Sequence, residues 1–473
     1  MKPIFIRGLS GRALRFLRDE NGSGTILALF FLLIGLIIGG LGIDFNRVMA
    51  QRSRLQIATD TAAHAALYTR EEEDVTAARN KATETVASML PEAAFGSTAL
   101  TTTDVTFGHW NAQDLSFTED NDSKTAVRVR AAMTETRANA SRNLLLHIIG
   151  FDTFDLGVES VYSTYFPSCF TEGFVAEGVV NIRSNNSFSD GFCIHSNEYV
   201  SLNQNNYFEP GTVVSMPNLD DLDMPNSGFE KNEGLQTALR SGAYRLRLLS
   251  DLPDIIDSFW TAEAKHLPPY VIAGSIYEVS ENHLAVEPEV EAETGTKGNG
   301  NGNGNGNNGG GGNGLTPNHF EPYSVNVMNC SGSGKITLKA GTYSNFLFIS
   351  DCEVKFSNGV ILEDVVMATT NTSASSFNTP SGLSIGRDDN CLAGGGASLM
   401  TLGGFHAASS LNIFGGQILA LGDIEFAANA DGIQGASLVS YGRIEGTSNM
   451  NMGYCRSEGM ENAYRADYFR MVN

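Results

Sequence analysis

An uncharged run of 19 residues, TILALFFLLIGLIIGGLGI at positions 25–43, lies behind a basic leader and ahead of more than four hundred polar, glycine-rich residues. At 1.5 Å per residue it makes roughly 28 Å of helix, enough to cross a hydrocarbon core of about 30 Å, whereas a secretory apolar region runs to about 7–15 residues. It reads as a retained membrane helix within 21–45, after a short cytoplasmic tail at 1–20. The competing reading is cleavage after Ala50, where Val48 and Ala50 make a small-residue site. Asp44 and Arg47, between the apolar run and that site, argue against it.

The flanks set an orientation. Lys2, Arg7, Arg12, Arg15 and Arg18 precede the span, against Arg47, Arg52 and Arg54 close behind it, and basic residues are biased to the cytoplasmic side. All six cysteines, Cys169, Cys193, Cys330, Cys352, Cys391 and Cys455, lie beyond the span, and an even set on one side suits an oxidising compartment. The expectation is a single-pass protein of the bacterial inner membrane, with its amino terminus cytoplasmic and its carboxy-terminal bulk periplasmic. Six cysteines allow 15 connectivities; the pairing preferred is Cys169 with Cys193 and Cys330 with Cys352, each closing a loop of 20-odd residues, with Cys391 and Cys455 left to pair. From Cys169 onward 15 Lys+Arg face 34 Asp+Glu, so −19 of the total −22 sits in the distal two-thirds. Such a surface repels phosphate backbones, which excludes nucleic acid as a partner.

Behind the span, Phe45, Val48, Met49, Leu55, Thr59, Ala62, Ala63 and Ala66 recur mostly at three- and four-residue steps. That spacing continues the membrane helix as a stalk with a small-residue packing face. Residues 71–89 are again helix-like, closed by Pro91. Residues 104–107, 116–117, 125–131 and 154–165 alternate like strands, and 137–149 reads as a helix ended by Gly150. The economical assembly over 46–168 is a helical stalk with a small α+β domain.

Asp44 and Arg47, then Arg54-Leu-Gln56, then Asp60-Thr-Ala-Ala63, behind an apolar span starting at Gly24, resemble the amino-terminal signature of the TadE/TadG-like proteins of the tight-adherence (Flp) pilus-assembly system. The resemblance covers residues 20–70 and extends more loosely through Ala126-Val-Arg-Val-Arg-Ala131 to about residue 168. It implies an envelope protein whose partners are other pilus-assembly or envelope proteins, with Asp44, Arg47, Gln56 and Asp60 as family-signature positions. Pseudopilin members carry Glu five residues after the processed Gly. That place is Leu29 here, so the TadG-like branch is favoured over a pseudopilin subunit.

From Cys169 the grain changes. Short apolar groups such as Val180-Asn-Ile182, Val200-Ser-Leu202, Ile336-Thr-Leu338, Val354-Lys-Phe356 and Leu411-Asn-Ile413 recur among Asn, Ser and Gly, many of them about six to twelve residues apart. Residues 169–473 therefore read as an all-β domain, with a parallel β-helix preferred to a sandwich because stacked turns bury one small inward set per strand and tolerate Asn and Ser at corners. Residues 229–260 have helical spacing and read as an insertion. Residues 298–314 hold only Gly and Asn and have no apolar surface to offset the cost of ordering, so they read as a disordered loop.

Motifs for chemistry are sparse. Gly382-Leu-Ser384-Ile-Gly386, followed by Asp388, Asp389 and His406, matches a nucleophile elbow in letters, but no helix-forming segment follows it. For a β-helix, carbohydrate cleavage by carboxylates is the better enzymatic idea, with Asp351, Glu353, Glu363 and Asp364 as candidates. The cysteines and histidines lack ligand spacing, His147 reads as part of a packed helix, and no metal or other cofactor is expected. Gly35-x-x-x-Gly39 gives the span a face suited to homo-oligomerisation. The sequence thus points to a membrane-anchored structural or adhesive component rather than an enzyme. A tethered carbohydrate-active enzyme is the runner-up and a pseudopilin the third reading.

Overall fold

The computed structural model describes residues 23–225, 227–281, 283–285, 314–330 and 334–473, and of Asn429 to Asp431 the backbone alone. The leader at 1–20 and the Gly/Asn positions 298–313 lie outside the described residues. The chain forms two compact units, residues 1–165 with 467–473, and residues 166–466.

The first unit is built on one helix, α1, which runs unbroken through Ser23–Glu72 and is about 75 Å long at 1.5 Å per residue. No Pro interrupts it. Its apolar first half, long and apolar enough to cross a membrane, is exposed: Leu29, Phe30, Phe31, Leu32 and Ile38 keep 60–65 % of their surface. Its second half buries Val48, Leu55, Ala58, Ala62, Ala63, Ala66 and Leu67. Phe45 and Met49, expected on the same face, stay exposed, each one position on from the buried Asp44 and Val48 and so turned about 100° away from the side that meets the domain. A second helix, α2 (Val75–Met89), starts where the Asp74 carboxylate accepts from the N–H groups of Thr76 and Ala77, and ends before Pro91. It sets Ala78, Ala82 and Val86 into the alanine face of α1, and these small residues permit the close approach.

Against α1 lies a five-stranded antiparallel sheet in the order Ser116–Glu119, Val105–Asn111, Ala126–Met133, Leu156–Tyr165, Tyr468–Met471. The last strand corrects the distal boundary expected at residue 473. Residues 467–473 return to this sheet because Leu156–Tyr165 has a free edge, and Tyr468 lies opposite Tyr165 with Met471 opposite Tyr162. A second correction concerns 137–149, expected as a helix. It forms single 3-10 turns at Glu135–Arg137 and Leu146–Ile149 with a short strand at Ser141–Arg142 between them, so His147 is exposed rather than packed. Gly150 does end the turn, at φ 90°.

The second unit is mostly β: its described residues form 22 strands, parallel throughout the pairings they make. They lie in three ladders. In one, Gly173–Ala176, Cys193–Ser196, Val213–Met216 and Leu239–Ser241 follow in order. Cys193 sits opposite both Gly173 and Val213, a step of 20 residues. In the other two, Val180–Ile182 pairs with Val200–Leu202, and Ser187–Phe188 with Asn206–Phe208.

The order of turns differs from the order of the chain. Ile276–Glu278 begins a second run, through Val325–Met328, Gly341–Ser350, Val360–Thr369, Ala397–Thr401 and Phe405–Ala420 to Ile424–Ser440. That last strand then pairs with Gly173–Ala176, where the unit began. The helix α3 (Arg247–Phe259) belongs to the segment that carries the chain from the end of the first run to the start of the second. The helical insertion expected at 229–260 is thus confined to its second half, apart from single turns. Asn232–Glu233 and Leu239–Ser241 are strands because the last turns of the first run offer them unpaired edges.

In the core that the ladders enclose like stacks on like. Phe188 lies over Phe208 with ring centroids 4.9 Å apart, and Phe320 over Phe346 at 4.7 Å. At one corner the buried Asn186, Asn206 and Asn232 form a column: Asn186 Nδ2 donates to Asn206 Oδ1 at 3.0 Å, and Asn206 Nδ2 to Asn232 Oδ1 at 3.2 Å. At another corner glycine recurs at 403, 422, 442 and 178. A Cβ on Gly422 would stand 2.9 Å from the backbone of Gly403, and one on Gly178 2.9 Å from the Gly442 carbonyl.

Candidate functional site

The four signature residues all lie on the domain half of α1 and act on one element after another. Asp44 is 1 % exposed. Its Oδ1 accepts the Leu144 N–H at 2.8 Å, and its Oδ2 accepts those of Leu145 at 2.9 Å and Leu146 at 2.8 Å. These are the free donors at the start of the 3-10 turn Leu146–Ile149, so one carboxylate on α1 caps a turn a hundred residues away. Arg47 Nη1 donates to the Arg142 carbonyl at 3.1 Å, and Ser141 bonds the Gln51 side chain. Gln56 Nε2 donates to Asp60 Oδ1 at 2.7 Å and to the Glu159 carbonyl at 3.1 Å, which joins α1 to the strand Leu156–Tyr165. Asp60 therefore acts through Gln56, whose amide it orients.

In the second unit the structure joins Cys169 to Cys193, Cys330 to Cys352 and Cys391 to Cys455, with Cα separations of 4.8, 5.4 and 5.6 Å. Cys193 and Cys352 are fully buried. Near the third bridge the buried Glu172 carboxylate accepts the Cys455 N–H at 2.6 Å and the Ser457 N–H at 2.7 Å. Burial pushes its carboxyl up, while the N–H groups of Ser457, Cys455 and Arg456 pull it down. Nothing in sequence spacing marks Glu172. Its only signal is a lone acid in an apolar stretch beside a bridging cysteine.

The carboxylates weighed for carbohydrate chemistry are engaged separately. Asp351 Oδ1 accepts the Cys330 N–H at 2.6 Å, and Glu353 pairs with Lys335 Nζ at 2.8 Å. These two line an open groove with Thr370, Asn371, Thr372 and Ser373, whereas Glu363 and Asp364 are not among its lining. Asp364 Oδ1 instead accepts the Gly395 N–H at 3.0 Å. Ser384 sits inside the strand Leu383–Ile385, within hydrogen-bond reach of Asn412 at 3.4 Å, with no helix after it, and Asp389 bonds Arg387 at 2.6 Å. His406 belongs to a different ladder, opposite Asn378 and Glu425. The strand-turn-helix geometry of an elbow is therefore absent at this place.

Residues 173–456, more than half of the chain, match a family profile described as a domain of unknown function (DUF7867). The chain belongs to that family. The DUF7867 match opens on the first strand of the second unit and closes one residue past Cys455, so it takes in both runs of turns and the third bridge. Two further profiles match the amino-terminal region: Flp pilus-assembly TadE/G-like over residues 22–79, and Tad-like Flp pilus-assembly over residues 61–161. They cover the span, the four signature residues and the sheet strands up to residue 161, and so point to a pilus-assembly component. Neither curated proteins nor solved structures provide a match.

Proposed function

We propose that this protein is a TadG-like structural component of Flp pilus assembly, anchored in the bacterial inner membrane by α1 with its amino terminus in the cytoplasm. Its DUF7867 domain then stands in the periplasm as a parallel β-helix that serves attachment or adhesion. The observation that carries the reading is the run of Tad matches over residues 22–161 on a helix whose apolar half is bare and whose other half is bound to the domain through Asp44, Arg47 and Gln56. Such a helix transmits position from a bilayer to the α+β domain without a hinge. Three bridges in the second unit favour an oxidising compartment. Parallel ladders stepped by about 20 residues, with Asn and Phe columns, favour the β-helix over a sandwich, whose sheets are antiparallel.

Two measurements test it. A reporter that is active only in the cytoplasm, fused after Asn473, should be silent, while a periplasmic one should be active; the reverse result overturns the orientation. Crosslinking in intact envelopes followed by purification of the full chain should recover Flp pilus-assembly proteins, and deletion of the gene should remove pili. Normal pilus formation without this chain would overturn the assigned role.

A further inference from the structure

We propose that residues 144–151, Leu-Leu-Leu-His-Ile-Ile-Gly-Phe, are a second membrane contact: a short loop that inserts its apolar side chains into the outer boundary of the bilayer crossed by α1. The inference rests on the reading of α1 as a membrane span. Leu144, Ile148 and Phe151 are 55, 63 and 63 % exposed, and Ile149 is 40 % exposed, which is a dense apolar tip for a domain loop in water.

Its depth is fixed by its neighbour. A Cβ placed on Gly40 would stand 3.1 Å from Leu145 Cβ and 3.5 Å from Leu146 Cδ2. Gly40 lies inside the uncharged run that ends at Ile43, about 4.5 Å below its end at 1.5 Å per residue. A loop that touches Gly40 is therefore at the level of the bilayer's edge, and what covers its outer side is the lipid that also covers Phe45, 61 % exposed on the same stretch of helix.

The sheet register agrees. Met133 opposite Leu156 marks the end of the sheet from which this loop leaves, and Ala126 opposite Ser163 marks the other end. At that far end Arg70 of α1 donates to the Asn121 and Asp122 carbonyls, 26 residues up the helix from Asp44.

Backbone in a bilayer must satisfy its own polar groups, and most N–H groups of this loop are paired within the protein. Asp44 takes the N–H groups of residues 144–146, the Phe151 N–H reaches the Leu146 carbonyl at 3.1 Å, and Asn143 Nδ2 donates to the Phe151 carbonyl at 2.9 Å. Arg47, Arg52 and Arg142 are exposed at the level just above, where anionic headgroups lie.

The test uses the full chain, its native cysteines oxidised in their three pairs, reconstituted in phosphatidylethanolamine and phosphatidylglycerol vesicles. Single variants Leu33→Cys, Leu115→Cys, Ile148→Cys and Phe151→Cys carry an environment-sensitive fluorophore, and some vesicles contain phospholipid spin-labelled near the headgroup end of its acyl chain. All four positions are exposed, so the labels do not burden the fold. Blue-shifted emission and quenching by the spin label at 148 and 151, with neither at 115, is the expected result. Lipid insertion at 33 without quenching at 148 and 151 would overturn the loop and leave the anchor standing. Failure of position 33 to report lipid would overturn the span, and the loop with it. A blue shift at 148 without quenching would mean that protein covers the loop, which also overturns the proposal.

Discussion

Asp104 concentrates the electrostatics of the first unit. Arg137 grips it with both terminal nitrogens, Nη2 to Oδ1 at 2.6 Å and Nη1 to Oδ2 at 3.0 Å, and Thr101 adds its N–H and hydroxyl. Burial pushes this carboxyl up, but the Arg137 and Thr101 bonds outweigh it and hold the group below the usual carboxylate range. A carboxylate depressed in the folded state contributes stability that is fully present above its unfolded value, near pH 4, and is lost as the pH falls through the folded one. Asp104→Asn should therefore cost about 2 kcal/mol at neutral pH and nothing at the acid end. Hydrogen exchange of the Ala126–Met133 strand, read against pH, checks this; parallel profiles for both proteins would refute it. In the second unit the corresponding residue is Asn206, which donates to Asn232 and accepts from Asn186 within a dry corner. Asn206→Ala removes the Oδ1 to which the Asn186 N–H and Nδ2 both donate and leaves that buried N–H without its acceptor, and the expected loss is about 2 kcal/mol, measured by chemical unfolding of the full chain. A loss within the error of the unfolding curves would mean that water replaces the amide.

Among elements, the disulfides were legible and the turn at 146–149 was not. Cys169 and Cys193 are 24 residues apart and Cys330 and Cys352 are 22 apart, close to the 20-residue step of the ladders, so spacing alone brings each pair to adjoining turns. Cys391 and Cys455, 64 apart, follow only by elimination. Helical spacing at 137–149 misled because the apolar residues there are not packed on a core; the segment is held by a carboxylate on α1, which no local pattern records. The glycine column was readable in principle, since 403, 422 and 442 follow one another at steps of 19 and 20 residues, yet it is diluted among the other glycines. The disulfide reading predicts that non-reducing peptide mapping of the oxidised full chain returns three linked pairs and no free thiol. Replacing Cys330 and Cys352 together by Ala should cost about 3 kcal/mol, chiefly by freeing the unfolded chain. Linked peptides in any other combination would contradict the pairing.

For the whole molecule, what sequence could not reveal is the order of stacking. Period and strand length are local and show in the apolar triplets; that Ile424–Ser440 lies beside Gly173–Ala176 is a contact between residues more than 260 apart and leaves no local trace. It has a mechanical consequence. The first run of turns, from residue 173 to 241, finds its base on the last strands of the second run, through Ile444–Gly446 on Val180–Ile182 and Asn451–Gly453 on Ser187–Phe188 as well. Each ladder therefore closes a contact between two chain segments that the α3 crossing joins covalently, and the strand Tyr468–Met471 adds a fourth such contact in the first unit. No disulfide links the two runs, since Cys169 bonds Cys193 and the other two bridges lie wholly beyond the crossing. A protease site inserted after the exposed Ala243 should thus yield two pieces, residues 1–243 and 244–473, that stay together without a covalent link, through strand pairing and the core packed between them. Size exclusion in mild detergent, with reductant present, is expected to show one complex, and urea to separate it. Separation without urea would show that the three ladders do not close between the runs.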